Sequence, residues 1–153
     1  MKTVVHADQR PLGILAALPE EIAELQQMLR TGALSVDTHR QNADSDGLAH
    51  QRWGQRDFLR GTLYGQDCVL ALSRIGKVAA AATATTLIHR FNVGAILFTG
   101  VAGGVATGVR VGDIVIADEL IQHDMDASPL FARYEIPLLA RQRFSASRPM
   151  TLA

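Results

Sequence analysis

Glu21 and the glycine cluster Gly100, Gly103 and Gly104 are the residues whose types and spacing best suit chemistry. Glu21 lies in the turn after the first apolar run, within reach of the same sheet edge as the glycine loop. Acidic residues also occupy first helical turns simply because the helix dipole favours anions there, and Glu20 and Glu21 fit that description equally well. The glycines follow the apolar run 95–98, where a strand end lets the backbone turn sharply or approach a ligand. Their spacing, with Gly108, is not G-x-G-x-x-G, and no lysine follows them as a P-loop requires. Gly76-Lys77 runs into Val78 and lacks the upstream glycine. By itself the cluster reads equally as a tight turn or a ligand site.

Other chemical groups lack their complements. His123-Asp124-Met125-Asp126 has metal-capable side chains, but His6, His39, His50 and His89 show no matching spacing, so no metal site is expected. Ser73 has no G-x-S-x-G elbow and no assigned base. Arg141, Arg143 and Arg148 read as a solvated segment, since only Phe144 offers an aromatic beside them.

The elements needed to position Glu21 and the glycines are legible. Residues 12–18, LGILAAL, form a continuous apolar run, read as a buried strand between Pro11 and Pro19. Pro19 suits a first helical position, and Leu18, Ile22, Leu25, Met28 and Leu29 make the apolar stripe of the helix that follows. Residues 31–55 lose periodicity and read as a long, mobile polar excursion, with Trp53 anchoring its end. Residues 58–64 and 67–73 read as a hairpin turning at Gly65-Gln66. The alanine-rich run 78–90 is read as a helix, with His89 and Arg90 in its last turn and Asn92 terminating it. A strand at 95–98 then completes a parallel crossover, which puts the glycine cluster at a carboxyl end of the sheet. Residues 110–113 turn the chain into a further expected strand at 114–117, and 144–153 resemble the approach to a helix.

Bulk composition narrows the partners. Fifteen basic and fifteen acidic side chains cancel in 153 residues that are 48% hydrophobic, which suits one domain. No net field favours nucleic acid or a membrane surface, so a small molecule or another protein is expected. No stretch suits a membrane crossing, and no signal peptide is read at the N-terminus. The single cysteine, Cys68, fits a reducing cytoplasm.

Taken together, GILAALPEEI at 13–22, IGKVAA at 75–80, TGVAGG at 99–104 and VGDIV at 111–115 resemble the bacterial methylthioadenosine/S-adenosylhomocysteine nucleosidases of the nucleoside phosphorylase superfamily. The resemblance runs from Leu12 to about Phe144, in the family's order. It implies an α/β, three-layer nucleoside-phosphorylase-like fold, with a central mixed sheet flanked by helices and incomplete at the C-terminus. The domain would span 12–153 behind an extension at 1–11.

The resemblance further implies cofactor-free hydrolysis of a purine nucleoside's N-glycosidic bond, releasing adenine, in a cytoplasmic homodimer serving methionine salvage. Glu21 matches the water-activating glutamate. Gly103 matches a substrate-contacting glycine, with Val101 and Ala102 beside it, while Leu18 and Ile75 match apolar positions facing the 5′ substituent. Phe131 corresponds to an aromatic lent to the neighbouring subunit's pocket. Val101 stands where some relatives carry a hydroxyl. The family's nucleoside-contacting Met-Glu pair and adenine-protonating aspartate fall beyond Ala153, so the chain alone is expected to have little or no activity. A phosphorolytic purine nucleoside phosphorylase relative and a noncatalytic binding or oligomerisation module are the alternatives.

Overall fold

The computed structural model describes residues 10–32 and 49–147. The expected mobility of the polar excursion falls largely on residues outside that set, as does most of the N-terminal extension. The chain divides into two units, 1–102 and 103–153.

The first unit is a five-stranded mixed sheet. Strand β1 is Leu12–Ala16, β2 Ala49–Trp53, β3 Arg56–Leu63, β4 Gln66–Leu72 and β5 Ala95–Phe98, in the spatial order β2-β3-β4-β1-β5. Strand β1 runs parallel to both β4 and β5, whereas β2, β3 and β4 form an antiparallel meander. Helix α1, Ala23–Gly32, and helix α2, Lys77–Phe91, supply the outer layers.

Alternation along the two central strands explains why a helix is needed on each face. Ile14 and Ala16 of β1, with Cys68 and Leu70 of β4, join Ile22 and Leu29 in one core cluster. Leu15, Val69 and Ala71, the intervening residues, join Phe58, Leu87, Phe91 and Val93 in a second. Both faces of β1 and β4 are therefore apolar, which is why their sequences are continuous hydrophobic runs. Full burial of each large aliphatic or aromatic side chain is worth about 1.5–3 kcal/mol. Phe58 and Phe91 stack across the second cluster with ring centroids 4.9 Å apart, joining β3 to the end of α2. Gly13 lies under the same helix: a Cβ there would sit 3.3 Å from both Leu87 Cδ1 and Ile96 Cγ1.

The turns follow local chemistry. Tyr64 and Gly65, with φ of 49° and 82°, make the β3–β4 hairpin one residue earlier than the Gly65-Gln66 expectation. Paired positive φ values match the right-handed twist of the flanking strands. Asn92 ends α2 in the left-handed conformation, φ 51°, as its terminator role anticipates.

Three expectations need correction. Residues 49–53 are strand β2, not part of an unstructured excursion; AHQRW lacks alternation because β2 is an exposed edge strand held by its ladder to β3. Trp53 does tie this segment down, with the Arg90 guanidinium of α2 3.7 Å from its ring centroid. Residues 114–117 form no strand, and Ile114 is 93% exposed. An apolar run becomes a strand only beside an edge that satisfies its N–H and C=O groups, and no described strand pairs with this one. Residues 143–145 are strand β7 where a helix approach was expected; residues 148–153 lie outside the described set.

In the second unit, β6 (Glu119–Ile121) and β7 (Arg143–Ser145) form a two-stranded antiparallel ribbon. Arg143 pairs with Glu119 across it at 3.1 Å. Gly112, φ 99°, permits the expected turn at 110–113, closed by Arg110 N–H donating to Asp113 Oδ2 at 2.8 Å. Among the described residues no helix is long and apolar enough to cross a membrane.

Candidate functional site

Register fixes where the chemistry gathers. Ala16 pairs with Leu72 and Leu15 with Phe98, so the three parallel strands end at one edge of the sheet. The chain leaving each strand stays tied to β1: Ser73 N–H donates to Ala16 O at 2.8 Å, and Thr99 N–H to Leu15 O at 2.9 Å. Ala17, Ser73 and Thr99 thus begin three neighbouring loops. Carboxyl edges of parallel strands are where open α/β sheets bind ligands.

Glu21 reaches this edge from the short 3-10 turn Pro19–Glu21 that precedes α1. Its Oε2 accepts N–H bonds from Ala17 and Leu18, both at 2.9 Å. These local bonds are what a glutamate at a helix start forms with the preceding backbone. The third bond is different in kind. Oε1 accepts the N–H of Val101, 80 residues away, at 3.0 Å. Glu21 therefore does more than complement a helix dipole: it links the β1 loop to the glycine loop after β5.

The electrostatic consequence is direct. The Val101 amide, then the Leu18 amide, hold the Glu21 carboxyl below its ordinary value; partial burial opposes them and the Ala17 amide adds to them. A carboxylate offers about four lone-pair sites, and three are engaged. Among the described residues the fourth, on Oε1, has no partner. The site thus presents an ionised carboxylate with one acceptor position free on the oxygen facing the β5 loop.

Strand ends also position the apolar candidates. Leu18 and Val101 contribute their N–H groups to Glu21, while their side chains are exposed. Ala102 directly follows Val101 at the end of the first unit. Ile75, 78% exposed, lies two residues beyond Ser73. Glu21, Leu18 and Val101 are thus in direct contact, and Ile75 leaves the same sheet edge. Gly103 and Phe131 belong to the second unit. A Cβ on Gly103 would meet nothing within 4 Å, and Phe131 is half-buried with its N–H donating to Ala127 O at 3.1 Å.

The other polar candidates have local partners. Ser73 is buried, and its Oγ faces two carbonyl oxygens, Ala16 O at 3.2 Å and Arg74 O at 2.7 Å, rather than an imidazole. Asp126 is engaged by the Ser128 N–H at 3.1 Å and by the Ser128 hydroxyl. No cluster of three or more His, Cys, Asp or Glu side chains suited to a metal occurs among the described residues.

Sequence reasoning could not find the backbone donors. The Val101 N–H has no residue-type signature, and its approach to Glu21 arises only when β5 pairs with β1. Gly100 carried a signal, its place in the glycine cluster, but not its reason: a Cβ there would lie 2.9 Å from Glu21 Oε1.

Comparison with known proteins agrees with this architecture. A curated relative from Shewanella denitrificans, a 5′-methylthioadenosine/S-adenosylhomocysteine nucleosidase, is 35% identical over 131 residues, 86% of this chain and 49% of its own. The crystal structure of a nucleosidase of that name from Colwellia psychrerythraea, in complex with adenine, superposes with a TM-score of 0.79 at 29% identity, covering 95% of this chain and 53% of that one. The futalosine hydrolase of Helicobacter pylori superposes with a TM-score of 0.76 at 28% identity, covering 94% and 55%. The chain spans about half the length of the curated relatives it matches. These matches bear out the three-layer, nucleoside-phosphorylase-like fold and the resemblance to nucleosidases. The family model for the phosphorylase superfamily matches residues 11–153, and the chain belongs to that superfamily.

Proposed function

We propose that this chain carries the water-activating half of a nucleosidase that hydrolyses the N-glycosidic bond of 5′-methylthioadenosine or S-adenosylhomocysteine and releases adenine. The observation that carries the proposal is the Glu21 carboxylate, anchored by the Ala17, Leu18 and Val101 amides with one Oε1 lone pair open. Breaking a ribosyl N-glycosidic bond builds positive charge on the sugar ring, and a fixed anion nearby stabilises that charge. The open Oε1 position accepts a hydrogen bond from the attacking water and then its proton as the C–O bond forms and the adenine departs with the bonding pair. The amide bonds keep Glu21 ionised but reduce its basicity, so orientation and charge are its larger contributions.

Val101 and Ala102 stand on the sugar and base side of the site in this reading, with Leu18 and Ile75 beside the 5′ substituent, and kinship alone assigns Gly103 a substrate contact. No cofactor takes part. The same kinship supports a homodimer, with Phe131 extended to the neighbouring subunit, and a place in cytoplasmic methionine salvage.

The test is product identity. Whatever adenine this chain releases from methylthioadenosine should appear with the free 5′-substituted ribose, independently of phosphate and far below ordinary enzyme rates, and in a protein that supplies the rest of the site Glu21→Gln should lower turnover about 10²- to 10⁴-fold. Phosphate-dependent turnover giving a sugar 1-phosphate favours the phosphorolytic alternative. Calorimetric binding of methylthioadenosine without turnover favours a binding module. Running S-adenosylhomocysteine and futalosine in parallel identifies the preferred nucleoside.

A further inference from the structure

We propose that Gly100 is a positioning residue for Glu21: the missing Cβ at the end of β5 leaves the space that the carboxylate occupies when it meets the Val101 N–H. A Cβ on Gly100 would lie 2.9 Å from Oε1, 3.2 Å from Cδ and 3.4 Å from Oε2 of Glu21. No backbone reason for glycine exists here, because Gly100 is not among the residues with positive φ. All three of those nearest atoms belong to one carboxylate.

The direction of the response follows from what is free to move. The colliding atoms are the far end of a flexible side chain, so an alanine is accommodated by displacing the carboxylate rather than the strand. Bonds from Oε2 to Ala17 and Leu18 span only four and three residues and travel with the turn. The bond to Val101 spans 80 residues and is the one lost. Gly100→Ala therefore keeps the fold while moving the reacting group and removing its long-range donor. Gly13→Ala supplies the contrast: its Cβ would meet Leu87 and Ile96 in the core at 3.3 Å each, and no Glu21 atom is among its three nearest contacts.

The functional meaning rests on the assignment of Glu21 in the proposed function; the geometry does not. The deciding experiment is therefore carbon-detected NMR titration of the Glu21 carboxyl in the full chain, assigned with Glu21→Gln. The Val101 amide is the largest influence holding the Glu21 carboxyl low, ahead of the Leu18 amide, so loss of the Val101 bond should move the titration upward. In the wild type the Val101 amide resonance should titrate together with Glu21. In Gly100→Ala the Glu21 pKa should rise and the Val101 amide should cease to follow it, whereas Gly13→Ala should lower stability without either change. An unshifted Glu21 titration in Gly100→Ala overturns the proposal. So does a wild-type Val101 amide that ignores Glu21 ionisation, a result that needs no variant to fold. With nucleosidase activity in hand, Gly100→Ala should lower kcat more than it raises KM and move the acid limb of the profile upward. If Glu21→Gln leaves turnover unchanged, the catalytic assignment fails while the titration result stands.

Discussion

Replacing Phe58 tests the layer that fixes β3 and α2 against the central strands. Phe58 is fully buried on β3 and stacks on Phe91, with centroids 4.9 Å apart and planes inclined at 25°. Truncation to alanine removes the ring from a closely packed cluster and is expected to cost about 3–5 kcal/mol. Domain stabilities are about 5–15 kcal/mol, so this one change removes a large share. At a urea slope of about 2 kcal/mol/M, the unfolding midpoint falls by about 1.5–2.5 M. Trp53, the single tryptophan, reports the transition because β2 pairs with β3, placing Gln51 opposite Phe58, and Arg90 covers its ring. A cycle of Phe58→Leu, Phe91→Leu and the double variant isolates the stacking contribution, expected at about 0.5–1.5 kcal/mol. An unchanged midpoint in Phe58→Ala, or strictly additive leucine variants, would refute this account of the core.

Two further outcomes follow from ionisable groups. The folded-state Glu21 pKa lies below its ordinary 4.5, so its amide bonds stabilise the fold above that pH, and the contribution is lost as pH falls through the folded value. Denaturation midpoints measured from neutral pH downward should therefore decline less steeply in Glu21→Gln than in the wild type below about pH 4.5; parallel curves would contradict the bonding described. Cys68 is buried between the sheet and α1, and burial raises its thiol pKa. An aromatic disulfide reagent should modify it slowly in buffer and rapidly in denaturant; fast native labelling would contradict its place in the core.

The parts of this protein written in its sequence are those whose signal is local. The runs LGILA and QDCVLAL are apolar at every core position because helices cover both faces of β1 and β4, so two-sided burial is visible residue by residue. Proline at the start of the first helical turn, asparagine after α2 and glycine at the β3–β4 turn each mark a boundary through their own backbone preferences. Edge strand β2 gave no such signal, since its stability comes from backbone pairing with β3 rather than buried side chains. Residues 114–117 are the converse, a hydrophobic run that among the described residues has no neighbouring edge to make it a strand.

The candidate site divides in the same way. Glu21 and the glycine cluster stand out in the sequence because acids at helix starts and glycines after strands have recognisable roles. That they form one site depended on tertiary structure: only the parallel pairing of β1 with β5 brings Val101 to the carboxylate. Only there does the reason for glycine at position 100 become visible, because a hydrogen bond spanning 80 residues and the space it requires have no local pattern.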